Sequence, residues 1–479
     1  MRPLPADSTT RDTSLFSVAE NEVPAVTEVR NNLAEALPRE HWMPTVRPFR
    51  GLGYALDRFA LPAPTGMRIA DLTDVACPPY DVITPAQQAD LLARDPRNAV
   101  RLELSAEPDP HAAAAAALAA WQTDGTLERR AEGSVHYYRH ARPSAPDEPA
   151  VQGVLTRLLL EPFGAGVRAH EHTLAGPKAE RLALLRATRT QLSPILAIYF
   201  DRSVRYDHVM GRPWTDEWRA RDGDGLMHSL AAIEPDERLL NYLGRQPLFI
   251  ADGHHRYETA LAYQAEIRAN PRWTDAPPGS LAADWVMVVL VNAAREELEI
   301  LATHRVILET DADALRSLVR DPDPIWRAIP VAPPELSGRL VDLRTTEQPV
   351  FGLVLPGNEG YLLVGDADAT DDRMRRERMS GVVRRLDLAV LHAAILDDRL
   401  GINPGVVATG GALAYTRSEA DAIHAVASGA AKAAILVRPT RLEQLAAVAS
   451  AGDVMPQKST YFYPKLLTGL VFYPLEGDQ

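Results

Sequence analysis

"PLFIADGHHRYETALAYQAEIRA", residues 247–269, decides how the chain is read. Its apolar start has strand composition, Asp252-Gly253 makes a turn, and from His254 onward the residues follow helical spacing. A strand that ends in Asp-Gly and enters a helix sets several unpaired N–H groups and the positive helix end beside the turn, which favours an anion. Gly253 lets the backbone come close to a ligand, and Arg256 can donate two hydrogen bonds to a phosphate. Asp252 is open to three roles: helix cap, Mg²⁺ ligand, or base for a hydroxyl proton. Adjacent His254 and His255 leave a helix in different directions, so one contacts a phosphate while the other packs.

Four further segments carry chemistry. In "HEHTLAGPKAERL", His170 and His172 would share one face of a strand, as in many two-histidine metal sites, with Glu171 opposite. Lys178 and Arg181, three apart at a helix start, could bind phosphate together, or simply form a solvated charged face. In "PPYDVI", two prolines fix the approach of Tyr80 and Asp81. "THRV" puts His304 and Arg305 on opposite faces of a strand, so that one of them enters a given pocket. "MPQKSTYFYPKL" interleaves Lys458 and Lys465 with three aromatics, a pattern that suits base stacking with phosphate contact or an interface loop.

The whole chain sets the frame. At 479 residues and 46% apolar content it exceeds what one core serves, so two or more domains are expected. A net charge of −13 spread along the sequence argues against nucleic acid or an anionic membrane as partner. No apolar run reaches the roughly 18 residues of a membrane span, and the polar start lacks a secretory pattern, so a cytoplasmic location is expected. The single cysteine, Cys77, excludes an internal disulfide framework. Residues 1–43 read as a disordered extension, 44–320 as the core, 321–384 as a proline-rich linker with inserted strands, and 385–479 as a smaller C-terminal α/β subdomain. The element pattern is that of an α+β or mixed α/β fold.

Together the segments "PPYDVI", "HEHTLAGPKAERLALLRATRTQLSPI", "ADGHHRYETA", "THRV" and "MPQKSTYFYPKL" resemble the family called domain of unknown function 1015. The resemblance implies a ParB/sulfiredoxin-like nucleotide-binding core related to free serine kinases, in which a Gly-x-His-Arg helix start holds nucleotide phosphates. Gly253, His255 and Arg256 match that start. His254 stands where sulfiredoxin has its reactive cysteine, so sulfinic acid reduction is not expected. The implied activity is phosphoryl transfer from ATP or ADP, with Mg²⁺, to a small hydroxylated metabolite, free L-serine being the first candidate. Gly253, His254, His255, Arg256, Lys178 and Arg181 would then contact nucleotide or acceptor, Asp252 would hold Mg²⁺ or act as base, and Glu171 and Asp81 are the other catalytic candidates. The rival readings are a non-catalytic nucleotide switch and a metal-dependent hydrolase built on His170, His172 and Asp252.

Overall fold

The computed structural model describes residues 44–145, 149–164, 166–171, 175–202, 214–294, 298–321, 323–377 and 379–476. The 1–43 extension and His172 lie outside the described residues. Strand Trp285–Asn292, sequence WVMVVLVN, is apolar almost throughout and buried except at its last residue, as a strand covered on both faces must be. It lies near the middle of a sheet of eleven strands among the described residues. Pro149–Leu159 runs antiparallel on one side of it and Ile195–Tyr199 parallel on the other. Leu248–Asp252 then pairs antiparallel with Ile195–Tyr199, bringing Asp252 opposite Leu196. The fold is therefore mixed α/β, as its pattern implies.

The two-residue period of these strands divides the core. Ile195, Ala197, Ile250, Val286 and Val288 pack on one face with Tyr257 and Ala260 of helix His254–Ala269. Leu196, Phe249, Ala251, Met287 and Val289 face the other way, into a larger core. Helix Ala175–Thr188 packs along helix His254–Ala269, with Leu185 and Tyr263 between them.

That larger core also contains Phe351, Leu353 and Ile435 of a second sheet, so one apolar mass joins the two. The second sheet runs Trp326–Pro330, Glu359–Gly365, Val350–Leu355, Ala433–Leu436, His304–Ile307, Leu413–Thr416, all antiparallel. The proline-rich stretch read as a linker supplies its edge strand, with Pro330 at the strand end, and helix Leu336–Asp342. The expected β-α-β-α-β alternation after residue 406 is present, but its strands disperse. Tyr461–Tyr463 pairs with Glu299–Leu301, Thr468 bridges Cys77, and Tyr473–Pro474 pairs with Thr190–Gln191. The apolar helix "LDLAVLHAAILDD" becomes π-helical over Leu391–Asp397.

Candidate active site

Gly253 takes φ 93°, and a Cβ there would stand 2.8 Å from Ile195 Cγ2, so the turn requires glycine for both conformation and space. The helix that follows begins without a side-chain cap. Asp252, read as a possible cap, is occupied otherwise. Its Oδ2 accepts from Arg256 Nη2 at 2.5 Å, and its Oδ1 forms an ion pair with Lys465 Nζ. Burial alone would raise the Asp252 pKa, but the Lys465 and Arg256 cations outweigh it and hold the carboxyl well below the usual carboxylate range. The second guanidinium nitrogen of Arg256 donates to the Pro194 carbonyl. Arg256 thus braces the turn from inside, while its side chain still borders the cleft.

That cleft, about 90 Å³, is lined by Tyr80 and Asp81, Glu171, residues 251–256, and Gln457, Lys458, Thr460, Tyr461 and Lys465. Four segments far apart in sequence therefore converge. Tyr80–Val82 forms one 3₁₀ turn after Pro79, leaving Asp81 exposed at the rim. Glu171 Oε1 accepts the Lys458 N–H at 2.6 Å. Burial raises the Glu171 pKa, and the Lys458 amide and the Lys458 and Lys465 charges only partly oppose this. His170, fully buried, bonds the Ile250 carbonyl through Nδ1 at 2.6 Å and Thr460 Oγ1 through Nε2 at 2.9 Å. A carbonyl only accepts, so Nδ1 carries the proton and Nε2 accepts from the threonine. Burial pulls the His170 pKa to about 4. The His254 ring meets it edge to face at 4.6 Å and, by burial, also stays neutral. Burial and the Lys458 charge depress His255, which lines the same cleft.

Two of the phosphate candidates lie elsewhere. Lys178 pairs with Glu258 at 2.9 Å across the helix pair. Arg181 is buried, 3.6 Å from Glu103, and its guanidinium sits 4.1 Å over the Tyr80 ring. Neither lines the cleft. Lys465, in contrast, sits over the Tyr461 ring at 4.4 Å while holding Asp252. Its signal in the sequence was a lysine directly after three aromatics and Pro464, which left its partner open.

For Mg²⁺ the fit is poor at Asp252, because both carboxylate oxygens already carry cations. No group of three His, Cys, Asp or Glu among the described residues could hold a metal ion. His170, with both ring nitrogens bonded, is not placed to ligate one. A larger cavity, about 450 Å³, is lined by Arg68, Arg130, Asp216 and Trp218 among others. There Asp216 already pairs with both arginines, at 2.8 and 3.4 Å. Asp57, Glu128, Glu132 and Glu234 also line that cavity, so carboxylates outnumber its arginines, whereas the smaller cleft sets Lys458, Lys465 and Arg256 beside Asp81, Glu171 and Asp252. Among the described residues no helix is long and apolar enough to cross a membrane.

No curated protein matches the sequence. Among solved structures, the chain is similar to a variant of free serine kinase in complex with ADP, at 11% identity and TM-score 0.32 over 64% of this chain and 90% of that one. It is similar to free serine kinase in complex with AMP at 11% identity and TM-score 0.32, over 62% and 83% of the two chains. A conserved hypothetical protein from Pyrococcus furiosus is similar at 11% identity and TM-score 0.31, over 63% and 89%. A family profile matches residues 46–389, the span holding three of the four segments that line the cleft, and the chain belongs to that family, the proteins of unknown function DUF1015.

Proposed function

We propose that the protein is a small-molecule kinase that moves a phosphoryl group from ATP or ADP to the hydroxyl of a small metabolite, free L-serine being the first candidate. One observation carries the reading. A helix start without a side-chain cap, the Lys458 ammonium, which has no ion pair among the described residues, and two carboxylates, Glu171 and Asp81, face one small cleft. Phosphoryl transfer needs mainly positioning and charge neutralisation, which amides and lysines supply. At about 90 Å³ the cleft admits a phosphoryl-sized group, whereas a whole ligand pocket occupies at least roughly 300 Å³. The base and sugar of a nucleotide would therefore lie outside it.

In this reading the acceptor oxygen attacks the terminal phosphorus, the bond from phosphorus to the leaving oxygen breaks, and the acceptor proton passes to Glu171. Glu171 suits the role because burial raises its pKa toward neutrality. Asp252, held strongly acidic by two cations, orients Lys465 and Arg256 instead. Asp81 is the second base candidate. The His254, His255 and Gly253 amides would meet the phosphate, with Lys458 and Lys465 beside it. Mg²⁺ would arrive on the nucleotide. The test incubates purified protein with ATP or ADP, Mg²⁺ and a pool of hydroxylated amino acids and hydroxy acids, with products read by mass spectrometry. A mass gain of one phosphate on an acceptor supports the kinase. Nucleotide binding without any phosphorylated product makes the protein a nucleotide switch instead.

A further inference from the structure

The Gln457–Lys458 peptide forms part of the cleft wall, and what holds it lies behind it, in the second sheet. Arg305, on strand His304–Ile307, is fully buried. Its Nη2 donates to the carbonyls of Gln457 at 3.2 Å and Lys458 at 3.1 Å, and its Nη1 donates to the Thr303 carbonyl. His392, in the π-helical turn, places Nε2 3.5 Å from the same Nη2, and the Tyr415 ring lies 5.4 Å from the guanidinium carbon.

A trans peptide unit points its C=O and N–H in opposite directions. With the Gln457 carbonyl turned back to Arg305, the N–H of Lys458 must face the cleft, where Glu171 Oε1 accepts it. Lys458 itself sits at φ 53°, a left-handed conformation that side-chain-bearing residues seldom adopt unless something outside the turn imposes it. Arg305 grips both carbonyls that flank that residue's N–H and Cα, and so supplies the constraint.

We infer that Arg305 is a positioning residue for the cleft: acting through the Gln457–Lys458 peptide, it fixes the Glu171 carboxylate where it can meet the acceptor hydroxyl. The second sheet is thereby a working part of the site. The catalytic consequence rests on the kinase reading, whereas the clamping of the turn does not. The charged and titratable groups facing Glu171 are Lys458 and Lys465 from the C-terminal segment, Arg305, and Tyr415 from the neighbouring strand. The Lys458 N–H favours the ionised carboxylate, so losing it raises the Glu171 pKa.

The experiment compares wild type, Arg305→Met and Arg305→Lys in the full chain by hydrogen exchange and by the pH profile of phosphoryl transfer. In Arg305→Met, amides of residues 457–460 should exchange about tenfold faster while the second-sheet strands keep their protection. The acid limb of the rate should move to higher pH by about one unit. Arg305→Lys, which keeps a donor and the charge, should recover part of both effects. Unchanged exchange at 457–460 in Arg305→Met would overturn the inference. So would equal acceleration across the whole second sheet in both variants, since Arg305 would then serve only the fold. If wild type transfers no phosphoryl group, the kinase reading fails, and the exchange result alone decides the role of Arg305.

Discussion

Lys465→Met removes one of two cations from Asp252 while keeping most of the side-chain volume. Only 10% of the Lys465 side chain and 12% of the Asp252 side chain are exposed, so little water is available to take over the lost contact. Removing one partner of a buried pair costs about 3–5 kcal/mol, and because Arg256 remains on the other oxygen at 2.5 Å, about 2–3 kcal/mol is expected here. The pH dependence identifies the cause. The folded pKa of Asp252 lies below its unfolded value, so its stabilising contribution is complete above the unfolded value, about 3.9, and fades as pH falls through the lowered folded value. The methionine variant loses most of that depression. The gap between wild type and variant should thus be widest from pH 5 upward and shrink below pH 4. Urea unfolding at several pH values measures it. A gap under about 0.5 kcal/mol, or one that stays constant from pH 7 to pH 3, would show that Lys465 is not the group that neutralises Asp252.

Three other perturbations separate site from scaffold. Gly253→Ala forces a Cβ against Ile195 at positive φ and should cost at least about 1–2 kcal/mol in urea unfolding, together with loss of ADP binding by calorimetry. Glu171→Gln should lower phosphoryl transfer by about 10²–10⁴-fold while changing ADP affinity less than about threefold; a rate within tenfold of wild type would pass the base role to Asp81. Arg181→Met strands buried Glu103 and should cost about 3 kcal/mol of stability with ADP affinity nearly unchanged, and a large affinity loss at preserved stability would return Arg181 to the site.

How much of this was legible depended on whether a feature is local. Strand Leu248–Asp252, the glycine turn and helix His254–Ala269 follow from apolar run, Asp-Gly and spacing, and these are local signals. Asp81, Glu171 and residues 252–256, singled out in the sequence from three separate segments, line one cleft in the structure. What the sequence withheld was partner choice. Arg256 and Arg181 carry charge that any anion could answer, and the structure answers it with Asp252 and with Glu103, 78 positions from Arg181. An arginine that looked free for phosphate is thus half spent on the protein. The proline-rich stretch near residue 330 read as a linker because prolines break ladders, yet Pro330 ends an edge strand, where a missing donor costs nothing. The π-helical turn around His392 is invisible to a 3.6-residue period because it spans only Leu391–Asp397, too short a run for its wider period to stand out.

The way residues 455–474 return to the body makes one stretch the carrier of the lysines of the cleft. Thr468 joins Cys77, Phe472 joins Leu52, and Lys458, Thr460 and Lys465 reach the cleft within this one late stretch. The same stretch packs Met455, Phe462, Leu466 and Phe472 into the larger core, so the lysines are held by the packing of the core itself. A protease cut near residue 452 would leave Lys458, Thr460 and Lys465 held at the cleft by packing alone.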